Sequence, residues 1–254
     1  MRSLPWFVCC LFGCLPSFAG EQAKELRVLT WNIHHGVGLD GKLDLERIAK
    51  VITHHQPDVV LLQEVDKNCT RSGGVDQAAE LARLTQLKAV FGKAMDLQGG
   101  EYGQAILSRT ELENLHIHAL PSQGEPRIAV SATTQSVLGP LTVASVHLDY
   151  EDEARQNAQA QVCAAALLAT PHPVVLAGDF NAKPDSRALA NFAQAPWTVN
   201  PKEGPPATHP ADKPEIEIDY VIVRGLRAAK PATVIAESVA SDHRPVLTTV
   251  ARPD

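Results

Sequence analysis

Polar side chains that could bind a metal ion or move protons stand at the ends of apolar segments in the first 149 residues of this sequence. Asn32 ends "RVLTWN", and Glu64 ends "VVLLQE". His147 and Asp149 end "TVASVHLD" in the same way. Short apolar runs of this kind are typical of buried strands, so we expect their polar ends to meet along one rim of a sheet sandwich.

The second half of the sequence repeats this arrangement with more carboxylates. "VVLAGDFN" ends in Asp179 and Asn181, Asp219 lies inside "IEIDYV", and Asp242 and His243 precede "RPVLTTV". A buried carboxylate costs on the order of several kcal/mol unless it is paired or holds a cation, and the motifs supply no matching set of lysines or arginines. The sequence therefore predicts a bound divalent ion, and oxygen ligands favour Mg2+ or Mn2+ over zinc.

Each of these motifs also has an ordinary structural explanation. Asn32 can cap a turn, "GDFN" is a common strand-to-turn sequence, and "SDH" alone carries little information. Function becomes the better explanation only because the whole set occurs together and in this order.

A glycine-rich stretch, "GVGLDGKL" at residues 36–43, raises the separate question of a nucleotide site. It contains the G-x-G-x-x-G pattern of dinucleotide-binding loops, and it differs from a P-loop at Leu43, where Ser or Thr is needed. The charges of Asp40 and Asp44 would repel a pyrophosphate. We therefore predict a tight turn beside the metal site and no dinucleotide cofactor.

The elements that must position these residues alternate between strand-like and helix-like patterns. Helices are predicted over "LDLERIAKVITHHQ", with Asp44 as N-cap, and over "VDQAAELARLTQL" and "EDEARQNAQAQVCAAALLA". Strands are predicted over "ELRVLTWN", "DVVLLQEV", "YGQAILS", "RIAVSATTQSV", "LTVASVHL", "PVVLAGDF", "EIEIDYVIV" and "RPVLTTV". The Pro-rich "NPKEGPPATHPADKP" reads as a long surface loop. No linker divides the chain, so we predict one α/β domain over residues 24–252 with a mixed sheet.

The composition and the N-terminal sequence limit the possible functions. The net charge of −6 argues against a broad basic surface that would bind long nucleic acid. Residues 1–19 are typical of a signal peptide, with Arg2, the apolar "LPWFVCCLFGCLPSF" and small residues before a cut near Gly20. We therefore expect export to the periplasm or beyond. Lipid anchoring at Cys14 and an ordinary buried N-terminal helix are the alternatives.

Two cysteines, Cys69 and Cys163, remain after this leader. They can form one disulfide, or they can stay unpaired, with Cys163 as a small buried apolar residue. The sequence leaves both possibilities open.

The ordered motifs resemble those of the endonuclease/exonuclease/phosphatase superfamily, which includes pancreatic-type deoxyribonucleases, abasic-site endonucleases, inositol polyphosphate phosphatases and neutral sphingomyelinases. The resemblance covers nearly all of the chain after the leader, and it rests on "TWNI", "LLQEV", "YGQAILSR", "VHLD", "GDFN", "IDYV" and "SDHRPV". One departure is Glu217, where many members carry a basic residue. The resemblance implies a four-layer sandwich of two mixed β-sheets flanked by outer helices.

The same resemblance implies a role for each motif residue. Glu64 is the expected principal metal ligand, with Asn32 and Asp242 completing or supporting the site. Asp179 is expected to orient or deprotonate the attacking water. The expected contacts to the phosphate are Asn181, His243, which Asp219 orients, and His147, for which the alternative role is general acid.

Five further residues keep two interpretations each. Tyr102 and Arg127 are possible substrate contacts, or a packing tyrosine and a surface arginine. His34 and His35 either line the substrate mouth or are exposed turn residues. For Asp149, a strand-end cap is favoured over a catalytic role.

The function implied by the resemblance is a secreted, Mg2+-dependent phosphodiesterase, expected to be a monomer. "NIHHGVGLDG" and "GGVDQAAELA" are most similar to small bacterial members grouped with the domain that remodels glycosylphosphatidylinositol lipid anchors. That similarity favours a small or lipid-borne phosphodiester, such as a membrane lipid headgroup, as substrate. A metal-dependent nuclease acting on DNA or RNA is the alternative. A non-catalytic binding module would not need Asp179, Asp219 and His243 together.

Overall fold

The computed structural model describes residues 24–253, which form thirteen strands and four α-helices. The predicted signal peptide and Cys14 lie outside the described residues. The strands are β1 (Glu25–Asn32), β2 (Val59–Lys67), β3 (Lys88–Leu97), β4 (Gly100–Ser108), β5 (Leu112–Ala119), β6 (Ile128–Ser136), β7 (Gly139–His147), β8 (Val174–Asp179), β9 (Trp197–Val199), β10 (Lys202–Glu203), β11 (Asp219–Arg224), β12 (Arg227–Val234) and β13 (Val246–Ala251). The helices are α1 (Leu45–His55), α2 (Gln77–Thr85), α3 (Glu153–Leu168) and α4 (Arg187–Ala190).

The strands form two mixed sheets. The larger sheet has the order β10-β12-β13-β1-β2-β4-β3, and the smaller has the order β5-β6-β7-β8-β11-β9. In the larger sheet β1 pairs parallel with β2 and antiparallel with β13, while in the smaller one β7 and β8 are parallel. The predicted α/β sandwich with two mixed sheets is therefore confirmed.

Three apolar clusters hold four layers together. The central cluster lies between the sheets and contains Val28 and Leu61 from one sheet and Val130 and Val143 from the other. A second cluster packs α3 and α4 on the outer face of the smaller sheet, and a third packs α1 and α2 on the larger. Alternate residues of each inner strand therefore face two different cores, which explains their nearly continuous apolar sequences.

The predicted helices are found where the sequence indicated. Asp44 caps α1 as expected, because its carboxylate accepts the Arg47 amide at 2.8 Å. Asp76 and Asp152 cap α2 and α3 in the same way. No helix of residues 24–253 has both the length and the apolar character that a membrane crossing needs.

The sequence analysis missed several strands that lack a clear pattern. β3 and β12 combine lysines with small residues, and β12 also contains Pro231, so neither shows a period of two. β5, at the sheet edge, is mostly exposed. The prediction that residues 200–214 form only a surface loop is wrong in part, since Lys202 and Glu203 form β10 and Thr208 and Ala211 are fully buried.

The two cysteines of the described chain are both free and buried. Cys69 follows β2, and Cys163 lies in α3 against the smaller sheet. Of the two possibilities that the sequence left open, the structure therefore has the unpaired one.

Candidate functional site

Strand register brings the predicted site residues to one rim. Parallel pairing of β1 with β2 sets Asn32 opposite Gln63, next to Glu64. In the other sheet, β7 and β8 set His147 opposite Asp179, and β8 and β11 set Asp179 opposite Asp219. Facing sheets then bring the two groups within hydrogen-bonding distance of each other.

Asn32 joins the two sheets at this rim. Its Nδ2 donates to Glu64 Oε1 at 3.0 Å and to Asp179 Oδ2 at 3.1 Å. Its Oδ1 accepts the backbone N–H of His34 at 3.0 Å. Asn32 is almost fully buried, so it acts as a fixed spacer between two carboxylates and leaves one lone pair of its oxygen for another partner.

Glu64 occupies an irregular position in β2. The ladder with β4 shifts register between Leu62 and Val65, and Glu64 has a φ of 55°, in the left-handed region that non-glycine residues rarely adopt. Such strain of roughly 1–3 kcal/mol persists where the surroundings enforce it, commonly at functional sites. Here it turns the carboxylate out of the ladder and toward the cleft.

The surroundings of Glu64 keep its carboxylate ionised. Burial raises the pKa of Glu64, but the nearby His35 and His147 and the hydrogen bond from Asn32 outweigh burial, and the pKa falls well below the usual range. Glu64 Oε2 lies 4.0 Å from His35 Nδ1. An ionised, partly exposed carboxylate in this position fits a divalent cation.

Asp179 is fully buried and has the opposite tendency. Burial raises its pKa to about 7, with a further contribution from Asp219, although His243 opposes both. Its Oδ1 accepts the Asn181 amide at 2.8 Å, and its Oδ2 lies 3.4 Å from His147 Nε2 and 3.7 Å from His243 Nε2. A carboxyl with a pKa near 7 can accept a proton from water at neutral pH.

His243 is held as an imidazolium by its partners. Its Nδ1 donates to Asp219 Oδ2 at 3.0 Å, and its carbonyl accepts Trp31 Nε1 at 2.8 Å. Burial lowers the pKa of His243, but the carboxylates of Asp219 and Asp179 outweigh burial and raise it to about 10. The structure thus brings His243 and Asp219 together as predicted and orients Nε2 toward Asp179.

His147 differs from His243 in charge. Burial, with Arg127 nearby, lowers the pKa of His147 to about 3, so its ring is neutral at neutral pH. A neutral imidazole can donate one hydrogen bond but has no extra proton to transfer. Between the two roles predicted for His147, the geometry favours a phosphate contact over a general acid.

A cleft of about 550 Å³ opens above these residues. Its walls include the predicted Asn181, Tyr102 and Arg127, of which the last two are buried. The alternative of a surface arginine is therefore wrong for Arg127. Its Nε and Nη1 have no hydrogen-bond partner, although Nη1 lies 3.4 Å from Glu125, so the guanidinium can still receive an anionic group.

Asp242 and Glu64 each lie beside two histidines at the cleft. Asp242 lies with His209 and His243, whereas Glu64 lies with His34 and His35; within each group of three, the possible ligand atoms are within 4.8 Å of one another. Asp242 Oδ1 accepts the Ser241 hydroxyl at 3.2 Å. Glu64 and Asp242 both line the cleft.

Asp149 serves the turn before α3. Its Oδ1 accepts the amides of Glu151 and Asp152 at 2.8 Å and 3.1 Å, and its Oδ2 accepts Arg155 Nε at 3.0 Å. These contacts agree with a strand-end cap. The Asp149 carboxylate is therefore occupied by hydrogen bonds within the protein.

Six residues that the sequence analysis did not assign to the site also line the cleft: Arg71, Met95, Leu97, Glu125, Tyr150 and His209. The ring of His209 stacks 4.7 Å from that of His243. In the sequence, the only indication of a role for His209 was that it is a histidine inside a Pro-rich segment. Its approach to the site depends on how residues 200–214 fold back over β11.

The glycine-rich stretch forms a closed turn. Its amides donate within the protein, Gly38 to Lys42 O at 3.0 Å, Leu39 to Val239 O at 2.9 Å and Gly41 to Gly38 O at 2.8 Å. A Cβ on Gly38 would lie 2.4 Å from Val239 O, so glycine is needed for close packing there. These bonds leave the turn without the row of free amides that cradles a phosphate.

Comparison with known proteins agrees with this architecture. The Endonuclease/Exonuclease/phosphatase family model matches residues 29–243. No curated protein matches the sequence.

Several solved structures are similar to this chain. An endonuclease/exonuclease/phosphatase from Beutenbergia cavernae has a TM-score of 0.75 and 24% identity, covering 90% of this chain and 72% of that one. A mannosyl-6-phosphatase from Bacteroides thetaiotaomicron has a TM-score of 0.73 and 16% identity, covering 89% and 99%. The human Nocturnin catalytic domain with bound sulfate has a TM-score of 0.69 and 20% identity, covering 90% and 95%. At these identities the structures show a shared fold.

The family match includes the strands and loops that carry Asn32, Glu64, Asp179 and His243. Members of this family are divalent-metal-dependent hydrolases of phosphoric esters, and the ionised Glu64 beside a buried proton acceptor suits that chemistry. From its motifs, its sheet sandwich and the extent of this match, the chain belongs to the endonuclease/exonuclease/phosphatase family.

Proposed function

We propose that this enzyme is an exported, Mg2+- or Mn2+-dependent phosphodiesterase whose favoured substrate is a small or lipid-borne phosphodiester. It is proposed to act as a monomer. The observation that carries the substrate class is an exposed apolar cluster close in sequence to the cleft residues, together with a cleft in which Arg71 is already paired with Asp66.

The proposed catalytic roles follow from the protonation states of the side chains. A divalent ion held by Glu64, with Asn32 and Asp242, would neutralise charge on the phosphate. Asp179, with a pKa of about 7, orients the attacking water and accepts its proton. His243, with a pKa of about 10, donates a charged hydrogen bond to a phosphate oxygen as negative charge builds up.

Neutral groups complete the proposed phosphate site. The carbonyl of Asn181 accepts Gln156 Nε2 at 2.7 Å, and its own Nδ2 donates to Leu148 O at 3.1 Å, so its position is fixed. His147 offers a neutral N–H. In-line displacement at phosphorus then breaks the bond to the leaving alcohol.

The charges around the cleft support a small substrate. Arg71 donates to both oxygens of Asp66 at 2.8 Å, so its charge is largely neutralised. Arg127 is close to Glu125, and Arg155 is paired with Asp149. A nuclease gains affinity by neutralising successive phosphates, and arginines that are already paired provide little of this.

An exposed apolar cluster supports a lipid surface as the source of the substrate. Leu39, Leu43 and Val239 are 45%, 41% and 39% exposed, and the Leu39 amide bonds to the Val239 carbonyl. The cluster follows the histidines at the cleft by a few residues, and Val239 precedes Asp242 by three. Insertion of such side chains into a lipid headgroup region would bring the cleft to the membrane surface.

The test compares hydrolysis at a lipid surface with hydrolysis in solution. For Leu39→Asp with Leu43→Asp, the rate on phosphatidylinositol vesicles is expected to fall at least about tenfold, since each buried leucine is worth roughly 1.5–3 kcal/mol. Hydrolysis of a soluble bis-aryl phosphodiester is expected to change less than about twofold by the same reasoning. The matched control, Leu115→Asp with Ile117→Asp, changes two exposed apolar residues of β5 and should affect neither rate.

The alternatives predict different results in the same assay. Efficient nicking of plasmid DNA without hydrolysis of any lipid would make the nuclease the correct function. No hydrolysis of any phosphoester with Mg2+ or Mn2+ would favour the binding module. The proposed export has its own test, which is N-terminal sequencing of the mature protein for a cut near Gly20 or lipidation at Cys14.

A further inference from the structure

His34 and His35 approach the same carboxylate from one short turn. One ring nitrogen of each histidine and one carboxylate oxygen of Glu64 lie within 4.8 Å of one another. The two rings are 4.4 Å apart and edge-to-face. Two imidazoles and a carboxylate at this separation are the donor set of many transition-metal sites.

The hydrogen bonds of the two rings leave nitrogen lone pairs available. His34 Nδ1 lies 3.0 Å from the carbonyl of Val37, which can only accept, so Nδ1 is the donating nitrogen and, in the neutral ring, Nε2 is the nitrogen with the lone pair. A ligating histidine commonly donates its other N–H to a carbonyl in this way. His35 Nδ1 is buried without a hydrogen-bond partner and lies 4.0 Å from Glu64 Oε2.

The backbone holds this arrangement against its own preference. His34 and His35 each have a φ of 44°, and Glu64 has a φ of 55°. Three non-glycine residues in the left-handed region at one point of the cleft indicate a geometry that the surrounding structure enforces. The carbonyl of His35 also accepts Nε2 of the buried Gln77 at 2.7 Å, which fixes the turn.

We propose that His34, His35 and Glu64 form a divalent-metal site whose imidazole nitrogens favour Mn2+ over Mg2+, the two ions proposed for this enzyme. The proposal rests on the proposed role of Glu64 as a metal ligand and adds nitrogen donors to it. Magnesium binds oxygen ligands and retains water, whereas imidazole nitrogen favours the later divalent metals. The two histidines therefore determine which metal the cleft prefers.

The experiment measures metal binding to the full, metal-free protein, with Mn2+ and Mg2+ as probes. In His34→Ala with His35→Ala, the Mn2+ dissociation constant should rise at least about tenfold, since even residues that only orient a ligand are worth about 10- to 100-fold. Mg2+ affinity should change less than about threefold, because magnesium makes little use of imidazole. Electron spin echo spectra of bound Mn2+ should show modulation by imidazole nitrogen in the wild type and lose it in the variant.

The chain offers a matched control pair. His54 and His55 are also adjacent, with rings 4.9 Å apart, but they lie at the end of α1. Replacing both with alanine should leave Mn2+ affinity unchanged. If circular dichroism shows that the His34/His35 double variant is unfolded, the single variants His34→Asn and His35→Asn give the same reading.

Equal Mn2+ affinity in the wild type and the His34/His35 variants, or wild-type spectra without nitrogen modulation, would overturn the inference. Neither result depends on catalysis. If the protein hydrolyses no phosphodiester, the proposed function is wrong, but the result on Mn2+ binding still stands.

Discussion

Glu64 and Asp179 stand at corresponding ends of the two sheets, and both accept a hydrogen bond from the same Asn32 nitrogen. Their pKa values nevertheless move in opposite directions. Glu64 faces the cleft and two histidines, which outweigh its burial and keep its pKa low. Asp179 is fully buried and has Asp219 beside it, so its pKa rises to about 7.

Neighbouring groups, and not residue type, therefore give the two carboxylates different roles. A metal ligand must stay ionised over the working range of pH. A proton acceptor is most effective when its pKa lies near that range. Two similar side chains on facing strands thus acquire different tasks from the polarity of their surroundings.

Removing the metal should have the largest effect. It takes away the cation that Glu64 is proposed to bind and leaves Asp179 in place. Hydrolysis is expected to disappear in excess chelator and to return with Mg2+ or Mn2+, because the ion offsets the phosphate charge. The measurement is the rate on a bis-aryl phosphodiester before and after metal addition. Full activity in the chelator would contradict the whole assignment.

Substitution of the two carboxylates should separate their roles. Glu64→Gln and Asp179→Asn are each expected to lower kcat/KM by roughly a thousandfold, within the range of about 10²–10⁴ for a general base. Only Glu64→Gln should also weaken divalent-ion binding, which calorimetry of the metal-free protein measures directly. If Asp179→Asn lost the metal while Glu64→Gln retained it, the roles would be exchanged.

Asp219→Asn should shift the pH dependence of activity through His243. Asp219 supports the raised His243 pKa of about 10, so its neutralisation should bring that pKa down toward the ordinary value near 6.5. Activity should then fall on the order of 10- to 100-fold at pH 8.5 and much less at pH 6, where the imidazolium persists. NMR titration of the His243 ring and the pH–rate profile give two independent readings, and unchanged profiles would contradict the coupling.

Asp179 should destabilise the metal-free fold as pH rises. Its pKa of about 7 in the folded protein exceeds the ordinary 3.8, so the native state binds more protons than the unfolded state between these values, and stability falls as pH increases through this window. Asp179→Asn removes that loss, which is on the order of a few kcal/mol. Melting temperatures in chelator should therefore favour the variant more at pH 8 than at pH 5. An equal difference at both pH values would contradict the raised pKa.

The smallest effect is expected at Lys42, outside both carboxylate environments. Its turn is closed by internal hydrogen bonds, and its own amide donates to Asp40 at 3.2 Å. Lys42→Ala should change kcat/KM by less than about twofold, since a surface change of this kind leaves the reacting groups in place. A loss of a hundredfold would restore the P-loop hypothesis.

Local sequence patterns are sufficient to identify the residue types at the rim. Asn32, Glu64, Asp179 and His243 each follow or precede an apolar run, and that local pattern is readable without a structure. The helix caps were readable for the same reason, because a cap involves only residues three apart. Edge strands such as β3 and β5 were missed, since strands that are largely exposed on one side need no regular apolar period.

The roles of these residues depend on long-range packing in the folded chain. Asn32 and Asp179 are separated by 147 positions, and their contact depends on two sheets packing face to face. The left-handed turn of His34 and His35, the burial of Arg127 and the approach of His209 depend on neighbours far away in the chain. A pKa depends on burial and on charges within a few ångströms, and the sequence specifies neither until the chain has folded.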